Sequence, residues 1–239
     1  PYLVPHFRQI NFTVLSMINV YSVLVKPLYT IKHVERLYNM VKSCLKEDFN
    51  FICLTDRDEK SDMPIRFIRV EEYDLDTWWN KVLVFKDGIS GPGKNIFFDL
   101  DVSIMRSIDL IDDIIDDKLC VVDTFWKDKR WFEESMKSTK DRVEAFIGEG
   151  YGNTSVMGWV GNSHNFLVDM LLDNIYKHTC EHYGDDTFIN KYAKVKYFRR
   201  GIVKEDGPIV RDDRGNRIVV ANPCVITHVK SVLLDPKLK

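Results

Sequence analysis

Cysteine patterns that build disulfides or zinc knuckles are missing from this chain. Its five cysteines, Cys44, Cys53, Cys120, Cys180 and Cys224, are odd in number, widely spaced and without a CxxC pair in 239 residues. That excludes a disulfide framework, and isolated cysteines in apolar runs are usually small core residues. A reducing compartment is expected, and the cytoplasm is the expected location. A charge excess is missing too. The chain has 34 basic and 36 acidic residues and a formal net charge of -2, so no nucleic-acid footprint is expected. The apolar stretch Ile10 to Val25 is broken by Asn11, Ser16, Asn19 and Ser22. It is too short and polar for a transmembrane segment, and it lacks the basic segment and small-residue cleavage site of a signal peptide. There is no internal repeat and no low-complexity tract. What remains is an ordinary globular composition, 45% hydrophobic and 29% charged, enough for one large α/β domain.

Taken in order, the chain alternates strand and helix patterns. Asn11–Val20 is rich in β-branched residues and predicts a first strand. Ile31, Val34, Leu37, Tyr38, Val41, Cys44 and Leu45 recur at helical spacing and predict an amphipathic helix. Phe49–Thr55 and Pro64–Val70 predict strands, and the first strand, the helix and the second strand form a βαβ unit. Asp76–Thr77 is placed to cap a helix through Phe85. Turn residues at Asp87–Gly88 and Ser90–Gly93 lead into another apolar run. Ser107 and Ser163 are placed as further caps, and Leu119–Asp123, Thr154–Val160, Val195–Phe198, Ile218–Val220 and Pro223–Val229 predict further strands. Gly184–Asp185–Asp186 opens a helix. Thr124–Gly152 is long and charged, with Trp126, Trp131 and Phe132, and loops of that length tend to be functional or mobile.

The run Asn95-Ile96-Phe97-Phe98 ends in Asp99-Leu100-Asp101. It predicts a buried strand of a mostly parallel sheet, and ligands bind at the carboxyl ends of such strands. In extended chain, residues i and i+2 face the same side, so both carboxylates are expected to face one ligand. Two close anions need a proton or a cation between them, and a hard divalent ion is the simplest answer.

Several segments resemble GT-A-fold glycosyltransferases, in the same order along the chain. NIFFDLDVSIM resembles the DxD segment, INFTVLSMIN and FICLTDR the first two strands, and DTWWNKVLVFK the helix before the DxD strand. GNTSVMGWV and GDDTFIN are similar to later segments of glycosyltransferase family 8, the glycogenin-like and bacterial galactosyltransferase-like enzymes, and THVK stands where that family has a metal-binding His. The resemblance covers Phe12 to Lys230. It implies a single domain over 1–239 with a GT-A, half-Rossmann-like, mixed and mostly parallel sheet flanked by helices. Residues 10–105 would be the nucleotide-binding half and 106–230 the acceptor-binding half.

It further implies a metal-dependent hexosyltransferase-like enzyme using manganese or magnesium and a nucleotide-sugar, a UDP-sugar first, with retention of configuration. A glycan, lipid or protein would be the acceptor. Asp99, Asp101 and His228 would hold the metal, with Asp99 also near the ribose. Lys81, Lys230 and Asp56 would contact the donor, and Asn153, Asp185 and Asp186 would flank the transferred sugar. Each residue also has a plainer role open to it. Lys81 suits a surface lysine with a packed stem, Asp56 and Asn153 suit turns, Asp185 or Asp186 suits a helix cap, and His228 suits a strand end.

The chain departs from the family where His228 is followed by Val229-Lys230-Ser231 instead of HxxGxxKPW, and where Ser155 replaces a common glycine. Two other readings stay open. A haloacid-dehalogenase-type phosphatase also carries DxD after an apolar strand, but normally its first strand. A nucleotide-sugar-binding module without turnover would keep the same residues.

Overall fold

A computed structural model of the chain describes residues 17–104, 107–123, 152–182 and 184–198, and the backbone of four short strands beyond them, at 203–205, 209–211, 217–219 and 226–228. The first elements are β1 (Ile18–Leu24), α1 (Ile31–Cys44), β2 (Phe49–Thr55) and β3 (Ile65–Arg69). After a 3-10 helix (Thr77–Phe85) come β4 (Lys94–Phe98), β5 (Val102–Ile104), β6 (Leu119–Asp123) and β7 (Gly152–Val160). Three helices follow, α2 (Asn165–Asp173), α3 (Ile175–Glu181) and α4 (Asp185–Tyr192), and then β8 (Val195–Tyr197), β9 (Val203–Glu205), β10 (Ile209–Arg211), β11 (Arg217–Val219) and β12 (Ile226–His228).

A seven-stranded sheet in the order β3-β2-β1-β4-β7-β6-β8 forms the centre. β3, β2, β1 and β4 are parallel, β7 is antiparallel to both its neighbours, and β8 is parallel to β6. The sheet is therefore mixed and mostly parallel, as expected. Its central strands are apolar on both faces because both faces are covered. Val20, Leu24, Ile96 and Phe98 pack on one face against Val34, Leu37 and Val41 of α1. Tyr21, Phe97, Met157 and Trp159 pack on the other against Val82 and Phe85, Leu167 of α2 and Phe188 of α4.

At the amino end of β4 the buried Asn95 ties the connecting loops together. Its amide donates to the carbonyls of Gly91 (3.0 Å), Gly93 (3.2 Å) and Gly161 (3.1 Å), and its Oδ1 accepts from Tyr21 and Asn19. A side chain saturated in this way anchors the end of the sheet away from the acidic pair.

Several local expectations shift. The first strand lies at Ile18–Leu24, and Asn11–Ser16 fall outside the described residues. The expected helix after Asp76 is a 3-10 helix, and Asp76 makes no side-chain cap. Ser107 does not cap either, since the 3-10 segment there begins after Ile108. Ser163 donates to the Val160 carbonyl and contacts His164 Nδ1, so it closes the turn before α2 and does not cap the helix. Among the described residues no helix is long and apolar enough to cross a membrane.

Candidate active site

The acidic pair does not lie on an extended strand. β4 ends at Phe98 and the chain turns, with the Val102 N–H donating to the Asp99 carbonyl at 3.1 Å. The expected alternation of an extended segment is thus replaced by a tight turn. The physical reason is Leu100, which is 2% exposed. Burying it in the core under α1 forces the backbone to fold around it. Past the turn, β5 leaves the main sheet and joins β12 and β9 in a small second sheet. Arg36 of α1 fixes the turn from below, donating to the carbonyls of Leu100 (3.4 Å) and Val102 (3.1 Å) and to Ser103 Oγ (2.8 Å).

Tyr29, in the loop after β1, draws the two carboxylates into one neighbourhood. Its hydroxyl hydrogen-bonds Asp101 and lies in the field of Asp99. Burial and then those two negative charges raise its pKa, so it stays a neutral donor.

Lys81, on the 3-10 helix, is 6% exposed. Its Nζ lies 3.1 Å from Asp99 Oδ1, 3.1 Å from Asp185 Oδ2 and 3.3 Å from Thr154 Oγ1, with the Phe97 ring 5.4 Å below it. Burial alone would lower the lysine's pKa, but Asp185, Asp99 and Asp186 around it outweigh that and raise it. Asp185, 6% exposed at the start of α4, has its pKa raised by burial and by Asp186, against the opposing pull of Lys81. These directions are consistent. One ammonium among several carboxylates stays charged, and the driest carboxylate is the one that most resists ionisation.

β7 supplies the rest. The pairing of β6 with β7 slips between Val121 and Val122, whose partners are Met157 and Asn153. Such an irregularity re-aims side chains, and here it carries Thr154 and Ser155 to the site. The Ser155 carbonyl accepts the Asp99 N–H at 2.8 Å. The Thr154 N–H donates to Asp186 Oδ1 at 2.8 Å, and the Thr154 hydroxyl contacts both Asp185 and Asp186. A hydroxyl has one proton and serves one of them at a time. Asn153 donates to Asp186 Oδ2 at 3.1 Å and accepts from the Ser155 N–H at 3.0 Å.

Beside this network is a cleft of about 200 Å³ at the carboxyl ends of β1 and β4, lined by Lys26, Leu28, Tyr29, Thr77, Trp78, Lys81, Asp99 and Leu100 among others. Leu28 and Trp78 are 59% and 52% exposed and give it an apolar rim. A metal could be held at the Asp99–Asp101 turn. β12 runs antiparallel to β5 with His228 opposite Val102, the residue after Asp101, and such partners have Cα atoms about 5 Å apart. Carboxylates of a buried, acid-rich turn with an imidazole-bearing residue next to them fit manganese or magnesium by donor chemistry.

No protein-family model matches the chain, and no curated protein matches it. Its architecture, with the acidic turn at the carboxyl end of β4, is the GT-A glycosyltransferase fold. Two solved structures carry this fold over most of the chain. One is an active-site mutant of LgtC, a family 8 galactosyltransferase, at 16% identity and TM-score 0.59, covering 89% of this chain and 87% of that one. The other is the galactosyltransferase LgtC in complex with donor and acceptor sugar analogues, at 16% identity, TM-score 0.56 and the same coverage.

Of the residues expected at the site, Lys81, Asp99, Asn153, Asp185 and Asp186 form one hydrogen-bonded network with Thr154, and Asp101 hydrogen-bonds Tyr29, which lies in the field of Asp99. Asp56 stands apart from it. Its Oδ2 accepts the Lys26 N–H at 3.0 Å and its Oδ1 lies 3.7 Å from Arg57, so it shapes the loop at the cleft's edge. His228 is described by its backbone alone. Lys230 and the aromatic loop 124–151 lie outside the described residues. Tyr29, Arg36 and Thr154 were not foreseen. Tyr29 lies in the loop after β1 that lines the cleft, and Thr154 near the start of β7, a positional signal without a motif. Arg36 reads in sequence as a solvated helix charge and carries no signal at all.

Proposed function

We propose that this protein is a metal-dependent glycosyltransferase that moves a sugar from a nucleoside-diphosphate donor, a UDP-sugar first, to a glycan, lipid or protein acceptor with retention of configuration. The observation that carries this reading is Lys81. Its ammonium joins Asp99 of the acidic turn to Asp185 of α4, which binds the candidate donor side and the candidate sugar side into one preorganised unit. Residues 10–105 are proposed to bind the nucleotide, and the described residues that line the cleft fall within them. Residues 106–230 are proposed to serve the acceptor.

Asp99, Asp101 and His228 would hold the metal, whose contribution is Lewis-acid stabilisation of charge on the departing diphosphate. Asp56 keeps the loop after β1 in place against the nucleotide, and Lys81 keeps Asp99 oriented. Lys230 stands in sequence where a contact to the diphosphate is needed. Asp185, Asp186 and Asn153 accept and donate hydrogen bonds to the hydroxyls of the transferred ring. In the transfer itself the bond from the anomeric carbon to the phosphate oxygen would break, the bond to the acceptor oxygen would form, and the acceptor's proton would pass to the departing diphosphate oxygen.

Thermal unfolding with uridine diphosphate tests this. At a nucleotide concentration a hundredfold above Kd the gain is about 2.7 kcal/mol, or roughly 5–10 °C in Tm for a chain of this size. It is expected with manganese and absent without it, and Asp101→Ala is expected to abolish it. Equal binding without metal, or normal metal-dependent binding by Asp101→Ala, overturns the assignment. Binding with no sugar release from UDP-sugars in long incubations would reduce the protein to a binding module, and NMR of the product anomer reads the stereochemistry.

A further inference from the structure

A second group of ligand-bearing side chains lies outside the cleft, at the carboxyl end of α3. His178 and His182 are four residues apart and Glu181 lies between them, a spacing that puts all three on neighbouring positions of one helical face. Ligand atoms of the three lie within 4.8 Å of one another. The two imidazoles are 6% and 7% exposed. Among the described residues, nothing hydrogen-bonds His178 Nδ1 or His182 Nε2, and both atoms are enclosed. Buried polar atoms are normally satisfied, so an orphaned nitrogen on each of two stacked rings calls for a ligand. The rings stack at 6.1 Å and 15°, held from behind by Phe188 and Tyr192 of α4. Glu181 is exposed at the open side.

We propose that His178, Glu181 and His182 form a zinc-class metal site that staples the last turn of α3 where it packs on Phe188 and Tyr192 of α4. Two imidazoles and one carboxylate suit zinc and its neighbours in the transition series, with water completing the shell. They do not suit the harder ions fitted by the Asp99–Asp101 turn. Zinc bonds of about 2.0–2.2 Å require donors closer together than 4.8 Å, and the exposed Glu181 side chain is free to swing in over the fixed rings. The site also has a route to the cleft. Phe188 contacts both histidines at 5.2 and 5.6 Å and Trp79 at 5.8 Å, and Trp79 shares the 3-10 helix with Lys81. Metal at α3 therefore restrains the segment that leads through Gly184 into Asp185 and Asp186. The proposal does not depend on the glycosyltransferase reading.

The test is zinc titration of the full chain by calorimetry, without nucleotide or manganese, with thermal unfolding alongside. One zinc per chain is expected at this site, with a higher Tm when it is bound. Loss of a ligand is expected to weaken binding by at least the ~10–100-fold seen when a mere supporting residue is lost, in Glu181→Gln as well as in His178→Gln. Glu181 is on the surface, so its variant keeps the test alive if a histidine variant fails to fold. Asp101→Ala is expected to bind zinc at α3 unchanged, which separates this site from the turn. Zinc affinity equal to that of the parent in both Glu181→Gln and His178→Gln overturns the proposal, as does zinc binding that only Asp101→Ala removes.

Discussion

Replacing Lys81 with Met keeps most of the apolar stem and removes the ammonium. In the native protein that charge lies 3.1 Å from Asp99 and 3.1 Å from Asp185. At an effective dielectric of 20, each contact is worth about 5 kcal/mol before desolvation. Burying the lysine offsets much of that, so the net value is better judged from the cost of orphaning a buried partner, about 3–5 kcal/mol. Asp185 would be that orphan. Burial and Asp186 already raise its pKa, and without Lys81 it rises further. A carboxyl whose folded pKa exceeds its unfolded one binds more protons when folded, so the variant's stability falls as pH climbs through the folded pKa. The expected loss in urea unfolding is therefore about 3–5 kcal/mol at pH 8, and it shrinks as the pH is lowered and Asp185 takes up its proton. Adding Asp185→Asn should recover part of the loss at pH 8, a coupling on the order of 0.5–3 kcal/mol. A loss under about 0.5 kcal/mol at pH 8, or one that does not shrink on acidification, refutes the account of Lys81 as the charge that holds the acids together.

Arg36→Met should cost about 1.5–3 kcal/mol, the value of hydrogen bonds from a charged donor. It should also weaken manganese-dependent nucleotide binding, because the acidic turn loses its support. Arg36→Lys should recover only part of this, since a point donor does not reproduce the planar fork, and calorimetry equal to the parent for both variants would sink the idea. Thr154→Val keeps shape and removes the hydroxyl between Asp185 and Asp186. A loss of about 1–3 kcal/mol is expected by denaturant titration, with Thr154→Ser near the parent, and identical values for the two variants would contradict the role. His164 is 2% exposed, and burial, only weakly opposed by Asp117, lowers its pKa from the ordinary 6.5 to about 4. The unfolded chain binds the proton first, so this contribution is intact above pH 6.5 and is lost as pH falls towards 4. Its share at pH 5 is about 2 kcal/mol, and His164→Gln should flatten the pH dependence of stability by that amount. An unchanged pH slope would show that the imidazole is not buried neutral.

Much of the architecture was legible because it rests on local pattern. Runs such as Phe51–Leu54 and Ile96–Phe98 are apolar on both faces only if both faces are covered, which announces a central parallel sheet. The helical recurrence of Val34, Leu37 and Val41 announces the helix that covers one of them. The acidic pair was legible for the same reason, since its apolar lead places it at a strand end. The strand itself stops at Phe98, short of the pair. Side-chain alternation assumes an extended backbone, and whether the chain turns at Leu100 depends on the core into which that side chain is drawn.

Composition and periodicity thus settle the α/β class, the α1 helix and the carboxylates at the end of β4, because strand and helix spacing are properties of neighbouring residues. They do not settle who meets whom. Lys81 reads as a surface lysine until Asp99 and Asp185, separated from it by very different lengths of chain, close on it from a turn and a helix start. Arg36 reads as solvated until the Leu100 turn is laid across it. Charge pairing between distant segments has no signature in local spacing, because its energy exists only once the core has excluded water and fixed the distances.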